Sequence, residues 1–278
     1  MAKGIGLIGN FRGKVGNMVG YNLKDSNNKQ TQGVRVYQPI VKNPKTYAQA
    51  EQRAKLAPIN ATYRALKMII DRGQEGKAYG NKSRLAWLSE AMKAFAGGWF
   101  KKGAAITAPA LVPLTKGSLG SISADAANAQ QFIVLCSDIT ESTITTIGQA
   151  TPLILAANSQ MREGDQITCV GVQHTSDGIQ VKVNSIVLDA SSTELLPYPP
   201  KQGDGEIRLM EDLDGFDAKA IILSREGDNG AHLRSNASLV ATNKYDADLL
   251  ADAAKEAAIK SYMTGGSNTD WAEESLRD

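Results

Sequence analysis

The apolar residues of the first 24 positions, Ile5, Leu7, Ile8, Phe11, Val15, Met18 and Val19, are interleaved with glycines at 4, 6, 9, 13, 16 and 20. So much glycine disfavours a helix and leaves a flexible, strand-like arm. Two strand-like runs, Val15–Lys24 and Gly33–Gln38, flank the turn-rich Asp25-Ser26-Asn27-Asn28-Lys29 and predict a β-hairpin. Pro39 ends the second run. The period then changes to three and four residues. Leu56, Ile59, Tyr63, Leu66, Ile69 and Ile70 form one apolar stripe of a helix expected from Asn43 to about Arg72, with Asn43 as cap, Pro44 at the first helical position and Pro58 as a kink. Leu85, Trp87, Leu88, Met92 and Phe95 predict a second helix over 82–95, closed by Gly97-Gly98.

Residues 103–125 are rich in Gly, Ala, Ser and Pro and carry little periodicity, which reads as a linker. Beyond them come short strand-like runs at 131–137, 142–147, 152–156, 166–173, 179–188, 206–210, 218–225 and 238–242. Arg162-Glu163-Gly164-Asp165 and Ser176-Asp177-Gly178 are turns, the second joining two strands as a hairpin. Eight strands at this spacing predict a β-sandwich or barrel. Asp246 then caps a helix through Leu249, Leu250, Ala253, Ala254, Ala257, Ala258 and Tyr262, ended by Gly265-Gly266. The expected class is α+β: a Gly-rich arm and hairpin (1–42), a basic helical hairpin (43–102), a linker (103–128), an antiparallel sandwich or barrel (129–245), and a C-terminal helix and tail (246–278).

Charge changes this picture more than composition does. The net charge is +2, yet residues 1–120 hold 20 Lys and Arg against 5 Asp and Glu, and residues 121–278 hold 11 against 24. A basic half joined to an acidic half suits either a nucleic-acid-binding face or head-to-tail association of subunits. The basic segments carry Tyr21, Tyr37, Tyr47, Tyr63, Trp87, Trp99 and Phe100, a pattern compatible with phosphate contacts and base stacking and equally with an ordinary helical core. No run is long and apolar enough for a signal peptide or a spanning helix, so a cytoplasmic origin and no membrane contact are expected.

Candidate chemistry is sparse. Gly4-Ile5-Gly6-Leu7-Ile8-Gly9 fits the dinucleotide fingerprint in letters, but only three residues precede it and further glycines follow where a helix is needed. His174 and His232 read as turn or surface residues, and Cys136 and Cys169 as small apolar residues within strands. Glu206, Glu211, Asp212, Asp214 and Asp217 lack the spacing of a calcium loop. No catalytic, metal or cofactor residue is expected, and the chain reads as a non-enzyme.

Gly13-Lys14-Val15-Gly16-Asn17-Met18-Val19-Gly20-Tyr21, then Val34-Arg35-Val36-Tyr37-Gln38-Pro39, then Asn43-Pro44-Lys45-Thr46-Tyr47-Ala48-Gln49-Ala50-Glu51-Gln52-Arg53 resemble an uncharacterised protein family of Bacteroidetes genomes and their phages. Its members carry a glycine-valine repeat, an arginine before a proline, and an Asn-Pro-x-Thr-x-x-Gln-x-x-x-Arg helix start. The likeness covers about residues 4–66, with weaker echoes at Ala220–Arg225 and Leu233–Asn236. A longer loop, Lys24–Gln32, and Tyr47 in place of a frequent proline depart from it. The resemblance implies no catalytic residues. Through the family's phage members, with crAss-like phages as natural candidates, it implies a virion structural role.

Together these features lead to the expectation of a homo-oligomeric ring subunit of a phage head-to-tail connector or tail, located in the virion beside other virion proteins. Gly13, Val15, Gly16, Val19, Gly20, Tyr21, Arg35 and Tyr37 are the expected intersubunit hairpin. Asn43, Lys45 and Arg53 are the expected contact with an acidic neighbour. The alternative is a basic protein that binds or packages phage DNA through its N-terminal half.

Overall fold

The computed structural model describes residues 13–24, 30–37, 46–122, 132–139, 144–200, 202–210, 215–227 and 230–263. The chain divides into two units, one of residues 1–45 with 266–278 and one of residues 46–265. In the first unit, β1 (Gly13–Val15), β2 (Met18–Lys24) and β3 (Gln30–Val36) form an antiparallel meander in the order β1-β2-β3. The expected hairpin is its β2–β3 half. The short β1 is an addition that the glycine content concealed.

The second unit opens at Thr46, whose hydroxyl accepts the N–H of Gln49 and caps α1 (Tyr47–Ala65). Thr46 therefore displaces Asn43 from the expected capping role; Asn43 and Pro44 lie outside the described residues. The helix breaks at Leu66, whose φ of −106° is not helical, and resumes as the single turn α2 (Lys67–Ile70). α3 (Asn81–Lys93) follows as expected. Ile59, Leu66 and Ile70 of the expected stripe are buried. Trp87 is buried beside Tyr63, and its indole N–H donates to Pro113 O at 2.7 Å.

That bond reaches into the segment read as a linker, and here the reading fails. Ala108, Ala110, Leu111, Val112 and Leu114 are core residues, and the segment contains β4 (Pro113–Thr115). Ala110 N–H donates to the buried Thr62 hydroxyl at 2.7 Å, which itself donates to Pro58 O at 2.9 Å.

β5 (Ile133–Leu135) precedes a second correction. Of the run 142–147, expected as a strand, residues 142 and 143 lie outside the described residues, and Thr146 and Ile147 are the cap and first residue of α4 (Ile147–Ala157), which also takes in the run 152–156, likewise expected as a strand. Thr146 and Gln149 form a capping box: the Thr146 hydroxyl accepts Gln149 N–H at 3.3 Å, and Gln149 Oε1 accepts Thr146 N–H at 3.3 Å. A short apolar run is ambiguous in period, and the cap decides it.

The remaining strands are β6 (Gln166–Thr175), β7 (Gly178–Val187), β8 (Glu206–Arg208), β9 (Ala218–Glu226), β10 (His232–Arg234), β11 (Ala237–Ser238) and β12 (Val240–Ala241). β6 and β7 form the expected hairpin at Ser176-Asp177. The main antiparallel sheet runs β10-β9-β6-β7, with β12 also on β9, while β5–β8 and β4–β11 are two-stranded ribbons. Val170, Val172, Ala218, Ala220 and Ile222 pack with α1–α3 and the β4 segment. Ile167, Cys169, Ile186, Ile221 and Leu223 face the other way, into a core with Ile147, Ile154, Val134 and Ile207. The period-two alternation thus gives both sheet faces a cover. The class is α+β, but no sheet among the described residues closes into a barrel, and one cover is helical where a sandwich would have a second sheet. A 3-10 turn at Ala247–Leu250, capped by Asp246, leads into α5 (Asp252–Met263), which packs on Ala50, Ala54 and Trp99. No helix among the described residues is long and apolar enough to cross a membrane.

Candidate functional site

The meander carries most of the expected assembly residues. β1 turns into β2 through Gly16-Asn17, with Gly16 at φ +56°, a left-handed conformation that glycine adopts freely. Tyr37 N–H donates to Asn17 O at 2.6 Å and ties the end of β3 to this turn. Lys14 Nζ sits 3.7 Å from the centre of the Tyr37 ring. Across β2 and β3, Met18 pairs with Val36, Val19 with Arg35, Gly20 with Val34 and Tyr21 with Gly33. On the other side of β2, Val15 pairs with Met18 and Gly13 with Gly20. A Cβ at Gly33 would lie 2.7 Å from the Tyr21 ring, so the ring rests directly on this glycine.

Directly paired residues share a face of an antiparallel sheet. One face therefore presents Met18, Val34 and Val36, and the other Val19, Tyr21 and Arg35. The first face is apolar and open: Met18, Val34 and Val36 are 39%, 51% and 72% exposed. None of them joins a buried core cluster. The outer edge of β3 pairs with no strand among the described residues. An open strand edge is a template for another chain. The meander exposes Lys14 and Arg35, and its described residues include no Asp or Glu, so this surface is also basic.

Asn43 and Lys45 lie outside the described residues, as do the Gly4–Gly9 run and Gln38. Arg53 is half-buried on α1. Two residues before it, Glu51 is engaged by Lys55 at 3.1 Å and by Lys255 at 3.8 Å. The Lys55 bond is the main cause that holds the Glu51 carboxyl below its usual range, against burial.

One chemical pair escaped the sequence reading. Asp217 is buried, and one of its oxygens accepts the backbone N–H of His174 and lies against the ring Nδ1, each at 2.6 Å. His174 lies on β6 and Asp217 one residue before β9, 43 positions apart, so no local pattern announces them. The His174 ring is half exposed. An oriented imidazole alone supplies proton transfer but no nucleophile. Cys136 and Cys169 are both buried and free. Burial pushes the Cys169 thiol up to about 12, far from thiolate chemistry at neutral pH. Among the described residues no group of His, Cys, Asp and Glu is arranged to hold a metal.

Comparison with protein-family models, with curated proteins and with solved structures finds no match to this chain.

Proposed function

We propose that this chain is a non-enzymatic structural subunit of a phage particle, most specifically a ring subunit of the head-to-tail connector or tail. The observation that carries the reading is the β1–β3 meander, with its uncovered Met18, Val34 and Val36 and the open edge of β3. An apolar sheet face as exposed as this one gains free energy when a neighbour covers it. A β-edge adds backbone hydrogen bonds to the same contact. The basic meander meets an acidic surface with favourable charge, and the acidic excess beyond residue 120 offers one on a second copy. A contact between different patches of identical subunits closes into a ring when the rotation fits. The likeness of residues 4–66 to a family with phage members supplies the virion setting.

Sedimentation of the purified chain across protein concentration and salt tests the reading, with imaging of any large species. Closed rings that Val34→Lys with Val36→Lys disperses into folded monomers support it. Lys45→Glu with Arg53→Glu should also weaken assembly without unfolding the protomer. A chain that stays monomeric under all conditions, or assembles equally well with both valines replaced, overturns the meander as the interface.

A further inference from the structure

Beside β10, the loop after α2 borders a cavity of about 620 Å³ whose charged lining residues are Arg72, Glu75, Lys77 and Arg234. His232 and the exposed Tyr79 also face it. Arg72 and Arg234 in addition border a smaller recess of about 150 Å³.

The arginines are placed by the fold, not by partner carboxylates. Arg234 is half-buried; its backbone N–H donates to Glu75 Oε2 at 3.1 Å and its Nε approaches Arg72 O at 3.4 Å. The Arg72 guanidinium lies over the Tyr79 ring, 5.1 Å from its centre. Among the described residues neither guanidinium pairs with an acidic side chain. Glu75 spends its charge elsewhere, accepting the Ser118 N–H and hydroxyl, each at 2.8 Å. Burial, and then the nearby charge of Arg72, hold the Arg234 guanidinium below its ordinary pKa range. A half-buried guanidinium with a second, exposed one near enough to lower its pKa is unfavourable until an anion joins them.

We propose that this cleft binds the phosphate of a nucleotide unit, with Arg72 and Arg234 on the phosphate oxygens and Tyr79 against the base. Paired guanidinium forks match a tetrahedral, doubly charged group better than a single carboxylate, which one fork already satisfies. The cavity is far larger than inorganic phosphate requires and falls in the range of small-ligand sites. Tyr79, 66% exposed at its rim, supplies a flat surface on which a base stacks beside the Arg72 guanidinium that lies over the ring. The site is distinct from the meander and goes beyond the assembly reading.

The test is titration of the full chain at low salt with dTMP, fluorescein-labelled oligo(dT), inorganic phosphate and poly-glutamate. Saturable binding of dTMP or oligo(dT), weakened about tenfold or more by Arg72→Gln and by Arg234→Gln, supports the site. Tyr79→Ala should weaken dTMP and leave inorganic phosphate unchanged. Oligo(dT) much tighter than dTMP identifies single-stranded nucleic acid as the source; equal affinities identify the free nucleotide. Arg72 is exposed, so its variant keeps the test valid if the Arg234 variant misfolds. No saturable binding of either nucleotide probe, an affinity indifferent to both arginines, or tighter binding of poly-glutamate overturns the proposal. Sedimentation of Arg72→Gln separates this result from assembly, which should be unaffected.

Discussion

Arg225 grips Asp165 through two parallel bonds, Nε to Oδ1 at 2.6 Å and Nη2 to Oδ2 at 2.7 Å. The same guanidinium donates to Gln160 O at 2.8 Å, and Asp165 Oδ2 also accepts Arg162 N–H at 2.9 Å. The pair locks β9 to the turn that launches β6, and the Asp165 side chain is 1% exposed. Arg225→Met strands that carboxylate and should cost about 3–5 kcal/mol in urea denaturation. Adding Asp165→Leu should recover part of the loss; two costs that simply add would show that the pair is not coupled.

Gly171 lies in β6 beneath Phe216, where a Cβ would come within 2.5 Å of the ring. Phe216 is itself packed edge-on against Phe132 at 5.9 Å and cannot retreat freely. Gly171→Ala should destabilise by about 1–3 kcal/mol. Phe216→Leu in the same chain should make the alanine less costly, as read from thermal midpoints of the four variants.

The Thr146–Gln149 box decides that residues 147–157 are helix. Thr146→Ala should cost about 1 kcal/mol, and Gln149→Ala should cost less when Thr146 is already alanine than when it is intact. Chemical denaturation of the two single variants and the double variant measures this. Strict additivity would contradict the reciprocal cap.

Burial raises the Glu75 carboxyl, but the bonds from Ser118 N–H, Ser118 hydroxyl and Arg234 N–H outweigh it and leave the group below its ordinary value of 4.5. A depressed folded-state pKa stabilises the protein above the unfolded value, and the stabilisation fades as pH falls through the folded one. Glu75→Gln should therefore lower stability most at neutral pH and narrow its gap from the parent chain in acid below about 4.5. A gap that widens on acidification would reverse the assigned sign.

Legibility in the sequence followed the range of the interaction. The hairpins at Ser176-Asp177 and across β2 and β3, and helix α3, rest on local periodicity and turn chemistry, and the sequence displays them. The four residues 152–155, Pro-Leu-Ile-Leu, could not separate strand from helix because their fate rests on a cap six residues upstream. Ala108 and Ala110 resemble a linker only in composition; their burial depends on Thr62, Trp87 and strands more than 60 residues later. The β3 edge was legible as a strand, whereas the openness of Val34 and Val36 needed the fold. The pairs His174–Asp217 and Arg72–Arg234 join distant segments and leave no local trace.

The core that closes over the former linker draws on residues from Ile59 to Tyr245. During synthesis, the apolar stripes of α1 and α3 leave the ribosome long before Ala218, Ala220 and Ile222 exist to cover them. At ordinary translation rates that interval is on the order of ten seconds. The nascent chain therefore holds Leu66, Ile70 and Trp87 against one another and against residues 108–114 alone through that time, without the sheet that completes their core.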